Sequence, residues 1–291
     1  MFKGSFTALL TPFLDGEVDD DAFQAFVEWQ ISEGSQGVVP CGTTGESPTL
    51  SHAEHHRVVE LCLDVAKGRV PVVVGTGSNA TEEAISLTKH AQEAGADGAL
   101  VVTPYYNKPT QEGLYQHFKA IHDATDIPII IYNIPGRSVV DMSVDTMARL
   151  AKLPNIVGVK ESTGAVLRPL ETRLAIGPDF ALLSGEDAAV LNLLAHGGHG
   201  CISVTANIAP KSCAALHDSW ADGRHGDALA MHERLMPLHT ALFIETSPSP
   251  AKYAASLLGH FRADVRLPLV EPRPETKDQI STAMRAAGVM P

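Results

Sequence analysis

A lysine closes an apolar run in this chain: Ile156-Val157-Gly158-Val159 leads into Lys160, which Glu161, Ser162, Thr163 and Gly164 follow. The amine thus sits where a buried strand opens into a loop. Burying an ammonium is costly, so such a lysine finds a partner, snorkels to water, or lowers its pKa and becomes nucleophilic. Most lysines take one of the first two courses. The third makes a Schiff-base lysine, which needs a neutral amine, a proton relay for carbinolamine formation and dehydration, and donors for a substrate carboxylate. The chain offers each. Tyr132 can pass protons and Thr43 can extend the hydroxyl chain; the Thr43-Thr44 amides can receive a carboxylate, and Arg137 can grip a second one through both guanidinium arms. Plainer readings stand beside these: Tyr132 as a core aromatic with a satisfied hydroxyl, and Gly42-Thr43-Thr44-Gly45 as a simple turn.

The elements that must position these groups are legible as a rhythm. Short Val- and Ile-rich runs near 6–12, 37–41, 71–76, 98–104, 128–133, 156–160, 180–184 and 200–205 alternate with amphipathic stretches, the signature of a parallel sheet with crossover helices. Eight such units specify a closed (β/α)8 TIM barrel better than an open sheet. Chemistry in that fold lies in the loops after the strand C-termini. The rule selects Cys41 to Ser47, Thr103 to Asn107, Tyr132 to Arg137, Lys160, Ser184 to Asp187, and Ile202 to Thr205. Ser51 followed by Glu54 is a capping box and starts the second helix. After about Gly223 the alternation stops, and 227–244, 250–259 and 277–288 read as helices. The expected organisation is a catalytic barrel over 1–224 and a small helical region over 225–291.

Composition narrows the field. The 291 residues fit one α/β barrel, and Lys+Arg 22 against Asp+Glu 34 gives a formal net charge of -12. That balance argues against nucleic-acid and anionic-membrane partners. No apolar stretch approaches the roughly 20 residues of a membrane span and no signal-peptide pattern opens the chain, so the expected location is cytoplasmic. Cys41, Cys62, Cys201 and Cys213 lack pairing or ligand spacing, which predicts reduced packing thiols with neither disulfide nor zinc.

Two motifs compete with the lysine. Gly75-Thr76-Gly77-Ser78-Asn79-Ala80 matches the dinucleotide-binding pattern, yet it opens the third unit of a longer series and Asp97 precedes the next strand instead of ending it. His52, His55 and His56 could suggest a metal, but His52 and His56 lie one helical turn apart without a matching third ligand, and Glu54 serves the cap. No metal and no cofactor are expected.

Together, Gly42-Thr43-Thr44-Gly45-Glu46, the stretch Val101 to Asn107, Tyr132-Asn133-Ile134-Pro135-Gly136-Arg137 and Gly158-Val159-Lys160-Glu161 resemble the dihydrodipicolinate synthase family of pyruvate-dependent class I aldolases and lyases. The resemblance covers nearly the whole chain, and the order and spacing of the motifs make it specific. It implies that Lys160 forms the Schiff base with pyruvate, with Tyr132, Thr43 and Tyr106 as proton relay. In the family that last tyrosine reaches the site from a neighbouring subunit, which implies an oligomer, usually a homotetramer built as a dimer of dimers. Thr44 would bind the pyruvate carboxylate, and Gly185 and Ile202 would line the pyruvate site through backbone groups. Arg137 would hold the carboxylate of L-aspartate-4-semialdehyde, and the product would be 4-hydroxy-tetrahydrodipicolinate, on the way to diaminopimelate and lysine. His52, His55, Asn79, Glu83 and Tyr105 match the family's lysine effector site. The chain departs from the family at Pro48, Ser247 and Ser249. The rival readings are a sister lyase cleaving a sialic acid or keto-deoxy sugar acid, which usually lacks this arginine, and a non-catalytic pyruvate-binding homologue, which would lose part of the relay.

Overall fold

The computed structural model describes residues 2–290. Its fold is a (β/α)8 barrel: eight strands, β1 (Gly4–Ala8), β2 (Gly37–Val39), β3 (Val73–Gly75), β4 (Gly98–Val102), β5 (Ile129–Asn133), β6 (Ile156–Glu161), β7 (Ala181–Ser184) and β8 (Gly200–Ser203), alternate with helices. The strands are shorter than their apolar runs because the chain leaves the sheet early. After β1, Leu9 and Leu10 continue through Pro12 into a small hairpin of Phe13–Leu14 against Glu17–Val18, where an unbroken strand over 6–12 was expected. After β8, residues Thr205–Asn207 coil into a 3₁₀ turn.

One compact unit comprises residues 2–3 and 71–202. Here β3 to β8 pair in sequence, each parallel to the next. Val73, Val74, Ala99, Val101, Ile129, Ile130, Ile131, Val159 and Leu183 are wholly buried, as strands covered on both faces must be. The helices are α3 (Thr81–Ala94), α4 (Gln111–Ala124), α5 (Val144–Leu150), α6 (Arg168–Ile176) and α7 (Val190–Ala195). Thr110 and Ser143 cap α4 and α5 by accepting from the Gly113 and Thr146 amides. The β5–β6 ladder contains one offset: Ile129 pairs with Ile156 but Ile130 pairs with Gly158, so Val157 is passed over.

The second unit comprises residues 4–70 and 203–290. β1 pairs with β2 from Phe6↔Gly37 to Ala8↔Val39. Two buried side chains, Asn207 and Gln30, act as stitches in this unit. Asn207 donates to the Ala8 carbonyl at 2.7 Å and accepts from the Leu10 amide at 3.1 Å. Gln30 accepts from Thr7 at 2.9 Å and donates to the Ala206 carbonyl at 3.0 Å. Around these lie α1 (Asp20–Ser32), α2 (His52–Ala66) and α8 (Pro210–Ala221), followed by the C-terminal helices α9 (His225–Ala241), α10 (Ser249–Leu257) and α11 (Pro274–Ala287). The Ser51 capping box is present as the sequence predicts: the Glu54 amide donates to Ser51 Oγ at 3.2 Å and the Ser51 amide to Glu54 Oε2 at 2.8 Å. All four cysteines are buried thiols outside any disulfide, and burial holds the Cys41 thiol pKa well above its ordinary value. No helix among the described residues is long and apolar enough to cross a membrane.

Candidate active site

Lys160 lies near the C-terminal end of β6, where the sheet gives way to loop, and is 5% exposed. Its register partner on β5 is Tyr132, itself 7% exposed, and the amine stands 4.2 Å from the centre of the Tyr132 ring. A ring face at that distance attracts a cation by roughly 0.5–2 kcal/mol and leaves the amine's donors uncommitted. The ion pairs among the described residues do not include Lys160.

Gly185 completes this corner. A Cβ built there would lie 2.9 Å from Lys160 Cε and 1.8 Å from Ser162 Oγ, so the missing side chain is the space in which the lysine and serine fit. The Gly185 amide donates to the Glu161 carbonyl at 2.9 Å, tying the loop after β7 to the end of β6. Ser162 is 8% exposed, and no described hydrogen-bond partner meets its hydroxyl. Ile202, on β8, is wholly buried.

The backbone that presents Lys160 is braced by a polar chain the sequence did not reveal. Asn133, at the end of β5 and wholly buried, donates to Asp141 Oδ1 at 2.8 Å and accepts from the Met142 amide at 3.0 Å. Asp141 pairs with Arg168 at 2.5 Å, and Arg168 also donates to the Met142 carbonyl. Glu161, next to Lys160, accepts from the Thr163 amide at 2.8 Å; burial raises its pKa, with those bonds and Arg168 opposing. Glu186 lies in the Ser184 to Asp187 loop that the sequence selects, though no role was read for it. Burial raises its pKa too; Lys160 is the largest opposing influence, Asp187 adds to the rise and Arg137 opposes it.

Arg137 stands exposed on a single helical turn, Pro135–Ser138, which Pro135 opens and where a loop was expected. Tyr106 is 88% exposed with a left-handed backbone, φ 70°. An aromatic residue in that region is an outlier worth a functional reading. Tyr105 is 37% exposed; its carbonyl accepts from Asn79 Nδ2 at 3.2 Å. Glu83 accepts from Ser78. Gly77 belongs to packing, because a Cβ there would lie 2.4 Å from the Val102 nitrogen. The second glycine of the apparent dinucleotide motif thus has a structural reason of its own.

Thr43 and Thr44 lie in the second unit, in a tight turn after β2 held by the Gly45 amide donating to the Gly42 carbonyl at 3.0 Å and the Glu46 amide to Thr43 at 3.1 Å. Thr44 is buried and Thr43 half-buried. His52 is the exposed first residue of α2, and His55, one turn on, is buried with its ring 6.2 Å from that of His56. The effector residues expected from the resemblance are therefore divided between the two units.

A buried strand-end lysine beside a tyrosine, in a (β/α)8 chain, is what a Schiff-base-forming lyase requires. The Dihydrodipicolinate synthetase family model matches residues 1–287, and the chain belongs to that family. It is 66% identical over 290 residues to the 4-hydroxy-tetrahydrodipicolinate synthase of Rhodospirillum centenum, covering 100% of both chains. Its structure matches that of the chloride-inhibited dihydrodipicolinate synthase from Acinetobacter baumannii complexed with pyruvate, with TM-score 0.97, 44% identity and 100% of both chains covered. It also matches the Cyanidioschyzon merolae enzyme with lysine bound, with TM-score 0.96, 40% identity and 99% of both chains covered.

Proposed function

We propose that this chain is a lyase of lysine and diaminopimelate biosynthesis, condensing pyruvate with L-aspartate-4-semialdehyde to give 4-hydroxy-tetrahydrodipicolinate in the cytoplasm. The observation that carries the reading is the buried Lys160 amine facing the Tyr132 ring at 4.2 Å, in a chain 66% identical to a synthase of that name.

In this reading Lys160 attacks the pyruvate ketone, the carbinolamine loses water, and the imine gives up a C3 proton to form an enamine that attacks the aldehyde carbon. Tyr132, Thr43 and Tyr106 carry the protons. Thr44 receives the pyruvate carboxylate, Gly185 and Ile202 line the keto acid through backbone, and Arg137 holds the semialdehyde carboxylate. The substrate's own amine then displaces Lys160 and closes the ring. The exposed, strained Tyr106 supports a role completed in a neighbouring subunit of a homotetramer. Residues 1–224 supply the catalytic barrel and 225–291 a helical support. His52, His55, Asn79, Glu83 and Tyr105 bind L-lysine as effector; an unchanged rate at millimolar lysine refutes that assignment.

The test is incubation with pyruvate and borohydride, followed by peptide mass mapping and a coupled assay with aspartate semialdehyde. A reduced pyruvate adduct on Lys160 with turnover of the semialdehyde is expected. An adduct without that turnover points to a sister lyase, and an unmodified Lys160 refutes the mechanism.

A further inference from the structure

The turn that carries Thr43 and Thr44 ends on Glu46, a 2%-exposed residue with left-handed backbone, φ 56°. Its Oε1 lies 2.6 Å from Lys252 Nζ, and both side chains are 0% accessible. Its Oε2 accepts from the Arg266 amide at 3.0 Å. Lys252, on α10, also donates to the Asp264 carbonyl at 2.7 Å and holds its ammonium 3.8 Å from the centre of the Phe13 ring. The C-terminal region thus reaches the turn through a fully desolvated charge pair.

Stability alone does not account for such a pair, because apolar residues of similar volume fill a buried site as well or better. Directional grip does. The bonds from the Gly45 amide to Gly42 and from the Glu46 amide to Thr43 shape the turn but are internal to it. Where the turn lies is fixed from outside, by Thr11 Oγ1 donating to the Gly45 carbonyl at 2.7 Å and by the anchored Glu46 carboxylate. We infer that the Lys252–Glu46 pair is a positioning device, which holds the Thr43–Thr44 turn at the place where it receives the keto acid's carboxylate. This rests on the role proposed above for Thr44. Neither residue touches substrate; both act through the turn.

Glu46→Asp keeps the charge and shortens the reach by one methylene, so the turn must move or the pair must open. Pyruvate KM should rise roughly tenfold or more, since a displacement on the order of 1 Å in a positioning group costs up to about a hundredfold. The semialdehyde KM should stay unchanged. The double variant Glu46→Gln, Lys252→Met removes both charges; its Tm should recover most of what Lys252→Met alone loses, while pyruvate KM stays raised. An unchanged pyruvate KM in Glu46→Asp, equal rises in both KM values, or a double variant with wild-type pyruvate KM overturns the inference. Should the double variant fail to fold, Glu46→Asp decides. Borohydride trapping of the wild-type enzyme separates the two claims: an adduct on Lys160 upholds the reading whatever Glu46→Asp shows, and its absence overturns both.

Discussion

The Lys160 amine stands 4.2 Å from the centre of the Tyr132 ring, and the two residues are direct register partners on β6 and β5. Ring and hydroxyl can therefore be tested apart: the ring face meets the amine, and proton transfer is the work proposed for the hydroxyl. Tyr132→Phe should keep the ring and the packing, leave Tm nearly unchanged, and slow pyruvate adduct formation by about 10²–10⁴-fold, the usual worth of a positioned acid–base group. Single-turnover trapping with borohydride reads this out, and an unslowed adduct would remove the phenol from the relay.

Gly185→Ala places a methyl where Lys160 Cε and Ser162 Oγ already sit. One of them must move, and overpacking of this kind typically costs about 1–3 kcal/mol. Adduct formation should fall with it. Ser162→Ala in the same chain removes the nearer obstacle, so the double variant should recover part of the lost stability. If Gly185→Ala traps pyruvate as fast as the parent, the lysine does not depend on that space.

Arg137 is exposed on its short helical turn, so Arg137→Ala should fold normally. A raised semialdehyde KM with the pyruvate adduct intact is expected. Equal weakening of both substrates in steady-state kinetics would refute the division of roles.

Arg266 grips Glu54 at 2.5 Å, and that bond, against burial and with help from the Ser51 bonds, lowers the Glu54 pKa from 4.5 to about 2. Above pH 4.5 the carboxylate is ionised folded or unfolded, and the contribution is complete. As pH falls from 4.5 towards 2 the unfolded chain takes up the proton first, and the contribution is lost. Discounted for partial exposure, it amounts to roughly 1–2 kcal/mol. Glu54→Gln should therefore be less stable than the parent at neutral pH and equal to it near pH 2 in chemical denaturation. A gap that persists unchanged at acid pH would assign the loss to the cap instead.

The strand–helix alternation, the Ser51 cap and the suspect lysine could all be read in the sequence because each is a local pattern. What could not be read depends on distant partners. Lys252 lies in an ordinary helical run, and only the fold shows it fully buried against Glu46, some two hundred positions away in the chain. Asn133 reads as the polar end of a strand until Asp141 and Met142 close on it. Gly185 entered through resemblance as a backbone contact; the reason for its missing side chain is the Ser162 hydroxyl, with the Lys160 methylene beside it.

The passed-over Val157 has a consequence for how the chain tolerates change in length. Counted evenly from Ile129↔Ile156, Tyr132 would face Val159; the offset brings Lys160 opposite it instead. A residue gained or lost ahead of that irregularity can be absorbed there, as bulges absorb extra residues. One gained or lost between Ile130 and Tyr132 swings the phenol to the opposite face of the sheet while the amine stays put. The few positions between the offset and the lysine are thus a ruler, and in this stretch an insertion is more damaging than most substitutions.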